Sequence, residues 1–136
     1  MKIILFFFAA TLCISALGTR YVNLKGQLSC DNTYDYRDTI IELWERDTID
    51  SDDKKATIKP RFDGSFNITG EETEIGAIQF YLKITHRCLL VDRKDCKSLT
   101  EEFDVDSSSD PKTITHFKKS LVSRQQTHVV DRNCLI

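Results

Sequence analysis

From Val22 onward, apolar and polar residues alternate along much of the chain with a period of two. Val22, Leu24, Gly26, Leu28 and Cys30 fall on one side of the first stretch, and Asn23, Lys25, Gln27 and Ser29 on the other. Such alternation marks a strand with one face buried and the other wet. Thr39 to Arg46 form a second strand, with Ile41 and Leu43 on one face and Glu42, Trp44 and Arg46 on the other. Arg61-Phe62-Asp63-Gly64-Ser65-Phe66 reads as a tight hairpin turn. Asp-Gly suits the type I′ form, whose two central residues need positive φ. Phe66 and Ile68 then begin the returning strand. The clearest alternation runs from Ile78 to Cys88, where Ile78, Phe80, Leu82 and Ile84 oppose Gln79, Tyr81, Lys83 and Thr85.

Beyond Cys88, Leu89-Leu90-Val91 extends the apolar content. Residues 99–105 and 113–122 supply further strands, anchored by Phe103 and Val105, then by Ile114, Phe117 and Leu121. Helical periodicity is weak; a short helix could open at Glu71-Glu72-Thr73-Glu74. Asp47 to Lys55, with four aspartates, and Asp106 to Pro111, with three consecutive serines, read as loops. Six to eight short strands make this an all-β chain of the sandwich type.

The segment before this pattern is different. Lys2 is followed by an uncharged apolar run, Ile3 to Ile14, and then Ala16-Leu17-Gly18. A basic start, a short apolar stretch and small residues at the cut are the layout of a secretory signal peptide. Residues 1–18 are read as that leader and 19–136 as one mature domain. The apolar run falls short of the ~20 residues that cross a bilayer, and no later stretch reads as a transmembrane segment. Removing Lys2 leaves 18 basic residues against 21 acidic ones. That mildly acidic balance argues against nucleic acid, which demands a concentrated basic surface.

Cysteine usage changes the picture further. Cys13 departs with the leader, and Cys30, Cys88, Cys96 and Cys134 remain. An even number in an oxidising compartment predicts two disulfides. Four cysteines allow three pairings. The short spacing favours Cys88–Cys96 as a bridged loop, which leaves Cys30–Cys134. The absence of close Cys-x-x-Cys pairs argues against a zinc site.

The ordered segments carry a resemblance. Val-Asn-Leu-Lys-Gly-Gln-Leu-Ser-Cys (22–30) is followed by Ile-Glu-Leu-Trp-Glu-Arg-Asp-Thr (41–48) and an aspartate-rich loop. Asp-Gly-Ser-Phe-Asn-Ile-Thr-Gly (63–70), Leu-Lys-Ile-Thr-His-Arg-Cys (82–88) and a cysteine near the end complete the series. The chain resembles the nematode transthyretin-like family of small secreted proteins. The resemblance implies a transthyretin-like (prealbumin-like) sandwich of two antiparallel sheets, disulfide-bonded. It departs from the pattern at His-Phe-Lys-Lys-Ser-Leu-Val-Ser-Arg (116–124). It also implies an extracellular recognition or bridging role, although fold alone transfers no ligand.

Catalytic signals are missing. Transthyretin-fold enzymes that hydrolyse 5-hydroxyisourate end in Tyr-Arg-Gly-Ser, whereas this chain ends Asn-Cys-Leu-Ile (133–136). Neither a Gly-x-Ser-x-Gly elbow nor a His-Glu-x-x-His zinc motif occurs. His86, His116 and His128 lack metal-site spacing, and His86 is read as a structural hydrogen-bonding residue beside the cysteine. No cofactor is expected. The aspartates at 47, 50, 52 and 53 are a candidate calcium loop, but Lys54 and Lys55 break an EF-hand register started at Asp50, and a solvated acidic loop is the default reading. Asn67-Ile68-Thr69 is a glycosylation sequon. Trp44, placed among charges on the face opposite Ile41 and Leu43, is the candidate binding residue, since exposed aromatics often anchor interfaces; the rival reading is that it packs under the Asp47–Lys55 loop. The expected function is a secreted binding protein that engages a cell surface, a receptor or a lipid headgroup. The alternative is a carrier of a small apolar ligand in a transthyretin-like site.

Overall fold

The computed structural model describes residues 17–30, 35–88, 97–121 and 128–131. Residues 1–16, most of the segment read as a leader, and Leu89-Leu90-Val91, Cys96 and Cys134 lie outside these residues. Among the described residues there are eight strands: β1 (Leu17–Ser29), β2 (Ile40–Arg46), β3 (Asp53–Ile58), β4 (Ser65–Ile75), β5 (Gln79–His86), β6 (Lys97–Val105), β7 (Thr115–Ser120) and β8 (His128–Asp131). They form a three-stranded sheet in the order β4-β1-β7 and a five-stranded sheet in the order β3-β2-β5-β6-β8.

The alternating residues build the core. Val22, Leu24 and Leu28 of β1, Phe66 and Ile68 of β4, Ile41 and Leu43 of β2, and Phe80, Leu82 and Ile84 of β5 form one buried cluster. Removing this apolar area from water is the main drive for folding, at roughly 25 cal/mol per Å². Gly26 sits between two phenylalanines, Phe66 on β4 and Phe117 on β7. A Cβ there would lie 2.0 Å from the Phe66 ring, so the missing side chain makes room for that ring. Phe117 in turn meets Phe66 at 6.2 Å and Phe103 of the other sheet at 5.7 Å, both rings tilted.

Several expectations change. The Glu71–Glu74 stretch is not a helix: it continues β4, held by an antiparallel ladder to the first residues of β1. β1 accordingly starts well before Val22. The 61–66 segment turns the chain as expected, but β3 and β4 belong to different sheets, so it is a corner and not a sheet hairpin. Its bonds, Gly64 N to Arg61 O at 2.9 Å and Arg61 N to Ser65 O at 2.8 Å, are those of a three-residue loop. Gly64 alone supplies the left-handed φ of +82°, as a type I turn with a glycine bulge requires. β1 and β7 run parallel, because β7 arrives after a crossover from the five-stranded sheet; all other pairs are antiparallel. Ile114 is exposed and anchors nothing, while Leu121 is buried.

The disulfide is also a correction. Cys30 bonds to Cys88, with the Cα atoms 6.0 Å apart; the Cys88–Cys96 and Cys30–Cys134 pairs are therefore not formed. Local spacing misleads because β1 and β5 end on the same side of the sandwich, one in each sheet. The bond joins the two sheets there.

Candidate functional site

The wet face of the five-stranded sheet gathers most of the unusual chemistry. With Ile41 and Leu43 pointing inward, Glu42, Trp44 and Arg46 must point outward. Register sets Trp44 opposite Tyr81 and Glu42 opposite Lys83 on β5. Lys83 and Tyr81 in turn face Glu102 and Asp104 of β6. On the other side a register shift after Leu43 brings Lys54 of β3 opposite Trp44.

The side chains interlock. The Trp44 and Tyr81 rings stack with centroids 6.4 Å apart and planes 20° from parallel. Lys83 Nζ lies 4.6 Å and Lys54 Nζ 5.8 Å from the Trp44 ring centroid, and the Arg46 guanidinium lies 4.3 Å from that of Tyr81. Cation–π contacts of this kind are worth ~0.5–1 kcal/mol each at exposed sites. Carboxylates ring the cations: Arg46 meets Asp104 at 3.2 Å, Lys83 meets Glu102 at 3.8 Å and Lys54 meets Glu42 at 3.3 Å. The indole N–H of Trp44 donates to Glu42 at 3.3 Å. Tyr81 donates its hydroxyl to Asp52 at 2.8 Å. Burial, and then that hydrogen bond, push the Tyr81 phenol up, while the same bond holds Asp52 below the usual carboxylate range. The face thus offers the half-buried Trp44 indole, backed by the buried Tyr81 ring, among alternating charges.

Trp44 is half-buried on the outer face, where alternation predicts it. It is not covered by the aspartate-rich loop alone: the loop's Asp52 reaches Tyr81, and the groups over the indole are Lys54 and Lys83. Tyr81, Lys83 and Lys54 are missing from a strand-by-strand reading, since only the register brings them to Trp44. The visible signal is an aromatic on the outward phase of both strands.

The other candidates separate. His86 is wholly buried. Its Nδ1 accepts the Cys88 backbone N–H at 3.2 Å, so Nε2 carries the proton and donates to Glu101 at 3.2 Å. Burial lowers its pKa, against the pull of Glu101. His116 is exposed on β7, away from this pair. Asn67 is exposed on the outer face of β4. In the aspartate-rich loop, Asp47 accepts the Ile49 N–H, Asp50 accepts the Ser51 N–H and Asp52 accepts the Asp47 N–H. One trio among the described residues has the spacing to hold a metal: Glu45, Asp47 and Glu74, each with an oxygen within 4.8 Å of the others. Glu45 lies on the inward phase of β2 and is wholly buried. Burial first, then Glu74, Glu72 and Asp47, raise its pKa to about 7. Among the described residues no helix is long and apolar enough to cross a membrane.

Comparison with known proteins closes the description. A profile of the Transthyretin-like family matches residues 25–105. Transthyretin-like protein 16 of Caenorhabditis elegans is 42% identical over 67 residues, which cover 49% of this chain and 50% of that protein. The match therefore spans about half the length of this relative. A 9R-lipoxygenase from Cyanothece aligns over 74% of this chain and 16% of its own, at 10% identity and a TM-score of 0.38; a likeness that slight carries no argument.

Proposed function

The chain belongs to the nematode transthyretin-like family, and on that premise we propose that it is a secreted binding protein that recognises an extracellular protein or a cell-surface lipid through the outer face of its five-stranded sheet. The observation that carries this reading is the Trp44–Tyr81 stack with Arg46, Lys54 and Lys83 laid against it. The half-buried indole, held in place by the buried Tyr81 ring, loses little conformational entropy when a partner covers it. Cations already positioned beside it add orientation and charge selectivity.

The carrier reading has less support. Phe80, Leu24, Ile41, Leu43 and Leu82 fill the space between the sheets. The groove beside β1 and β4 is open to solvent, and its lining mixes Tyr21, Val22 and Pro111 with Asn23, Thr69 and Glu71. An apolar ligand calls for a mostly hydrophobic, concave site. A binding role rather than catalysis also fits the His86–Glu101 pair, whose side chains are 1% and 9% exposed and so closed to a substrate.

Secretion rests on the leader. Cleavage before Thr19 would remove only Leu17 and Gly18 from β1, both exposed. Asn67 on its exposed strand face is open to glycosylation. Thr69→Ala protein from a native secretory pathway should migrate faster than wild type, and glycosidase should abolish the difference.

The experiment that tests recognition is a binding screen of the secreted protein against cell-surface proteins and vesicles of defined headgroup. Trp44→Ala should weaken the identified interaction by at least about thirtyfold, as loss of a hot-spot aromatic does. An unchanged affinity would show that the partner docks elsewhere.

A further inference from the structure

The interior changes character at one end of the sandwich. Along β4 the inward series runs Phe66, Ile68 and Gly70, then Glu72 and Glu74. Along β2 it runs Ile41 and Leu43, then Glu45, with Asp47 just past the strand. The two strands come together here: a Cβ on Gly70 would lie 2.6 Å from Leu43 Cδ2 and 3.4 Å from Lys55 Cβ. Lys55 is an ion-pair partner of Glu72 and lies 3.7 Å from Asp53. Glu45, Asp47 and Glu74 cluster as three carboxylates, and among the described residues none of them is in an ion pair at contact distance; the Lys55 ammonium, which acts on Glu45 from farther away, is taken by Glu72.

Such a trio is unfavourable as it stands. Like charges at this range repel, and burial of an ionised carboxylate without a partner is costly. Glu45 is 0% exposed, and among the described residues neither of its carboxylate oxygens has a hydrogen-bond partner. Both oxygens therefore lack a contact partner within the described residues, with only the longer-range Lys55 charge offsetting the cluster. From the buried, unpartnered Glu45 facing Asp47 and Glu74, we infer that these three carboxylates bind a hard divalent cation of the calcium type.

Donor chemistry selects the class of ion. One oxygen of each carboxylate lies within 4.8 Å of the others, so the three can share a single cation. Calcium accepts several carboxylates in flexible geometry, whereas magnesium keeps its waters and is held by only one or two. Oxygen-only donors also exclude preference for soft metals. The bound ion would tie the end of β2 to the end of β4, and so the five-stranded sheet to the three-stranded one. It would do so opposite the disulfide end, because β1 begins beside Glu74 and finishes at Cys30. This site is independent of the recognition face, since Glu45 and Trp44 point to opposite sides of β2.

The test uses full-length secreted protein, stripped with chelator and titrated with calcium or magnesium chloride at pH 7.5. Affinity should fall in the range of about 10⁻⁴–10⁻³ M, typical of extracellular calcium modules. The melting temperature should rise saturably, by roughly 5 °C at ten times Kd. Glu74→Gln and Asp47→Asn should each weaken calcium binding at least tenfold while melting no lower than wild type without metal. Asp50→Asn, on the exposed loop, should keep the full response. If Glu74→Gln folds poorly, Asp47→Asn alone decides. The inference is overturned if wild type shows no saturable response up to about 10 mM calcium. It is equally overturned if the response survives in the Glu74→Gln/Asp47→Asn pair, or if Asp50→Asn abolishes it.

Discussion

Replacing Cys30 and Cys88 together with alanine is expected to remove roughly 4 kcal/mol of unfolding free energy, the chain-entropy value for a loop closed over 58 residues. Domains of this size hold only about 5–15 kcal/mol in total, so the variant should unfold at far lower denaturant. The loss should exceed that from any exposed substitution, because the bond joins one sheet to the other at a point where Cys88 is fully buried. Urea unfolding of the double variant measures it. A loss below about 1 kcal/mol would show that the sheets hold together there without the covalent link. The same bond leaves Cys96 and Cys134 as the remaining pair in a fully oxidised chain. Lys97 stands opposite Asp131 in the β6–β8 ladder, and the two cysteines flank those residues in sequence. Non-reducing peptide mapping should therefore recover Cys30–Cys88 and Cys96–Cys134, with no free thiol.

The second large effect belongs to Glu45. In chelator, Glu45→Gln should gain about 2 kcal/mol over wild type at pH 8 and almost nothing at pH 4. The sign follows from the raised pKa. A carboxyl that titrates near 4.5 when unfolded and about 7 when folded holds its proton more tightly in the folded state. Below pH 4.5 both states are protonated and no penalty exists. As pH rises from there to 7, the unfolded state ionises first and stability is lost; above 7 the penalty is complete. The full linkage is on the order of 3 kcal/mol, and the buried glutamine amide gives part of it back. His86 acts in the opposite sense, since its lowered pKa costs stability as pH falls below about 6.5. It is present in both proteins and cancels in the difference. Unfolding curves from pH 4 to 8 decide the matter, and a difference that does not change with pH would contradict the buried, ionised Glu45.

Much of the fold is legible in the alternation itself. Val22, Leu24 and Leu28, Ile41 and Leu43, and Phe80, Leu82 and Ile84 all point inward as their spacing requires. Period-two patterning is a local property, and a buried face enforces it strictly. What local pattern does not carry is pairing. The parallel β1–β7 match, the two-sheet corner at Gly64 and the Cys30–Cys88 bond all depend on which strands meet, and strand spacing is silent on that. Glu71 to Glu74 show a different failure. A run of good helix formers becomes strand because β1 offers it a ladder, and tertiary context overrides propensity.

The candidate sites divide along the same line. Trp44 is visible because one strand suffices to place it outward. Its partners Tyr81 and Lys83 are on the correct phase of β5, but only the register joins them to it. Glu45 shares the inward phase of Ile41 and Leu43, and the alternation that buries them buries it too. Its charge conceals this in the sequence, since carboxylates are seldom interior without a partner. Glu74 comes from the other sheet, so no sequence spacing links it to Glu45.

Recognition through the outer sheet face is tested most directly by measuring affinity and melting temperature together on Trp44→Ala. The indole packs on Tyr81 and beneath two lysines but lies outside the core, so its loss should weaken partner binding at least about thirtyfold while lowering the melting temperature by only a few degrees. A variant that binds its partner as tightly as wild type, or whose binding falls only in proportion to its loss of folded protein, would contradict the account.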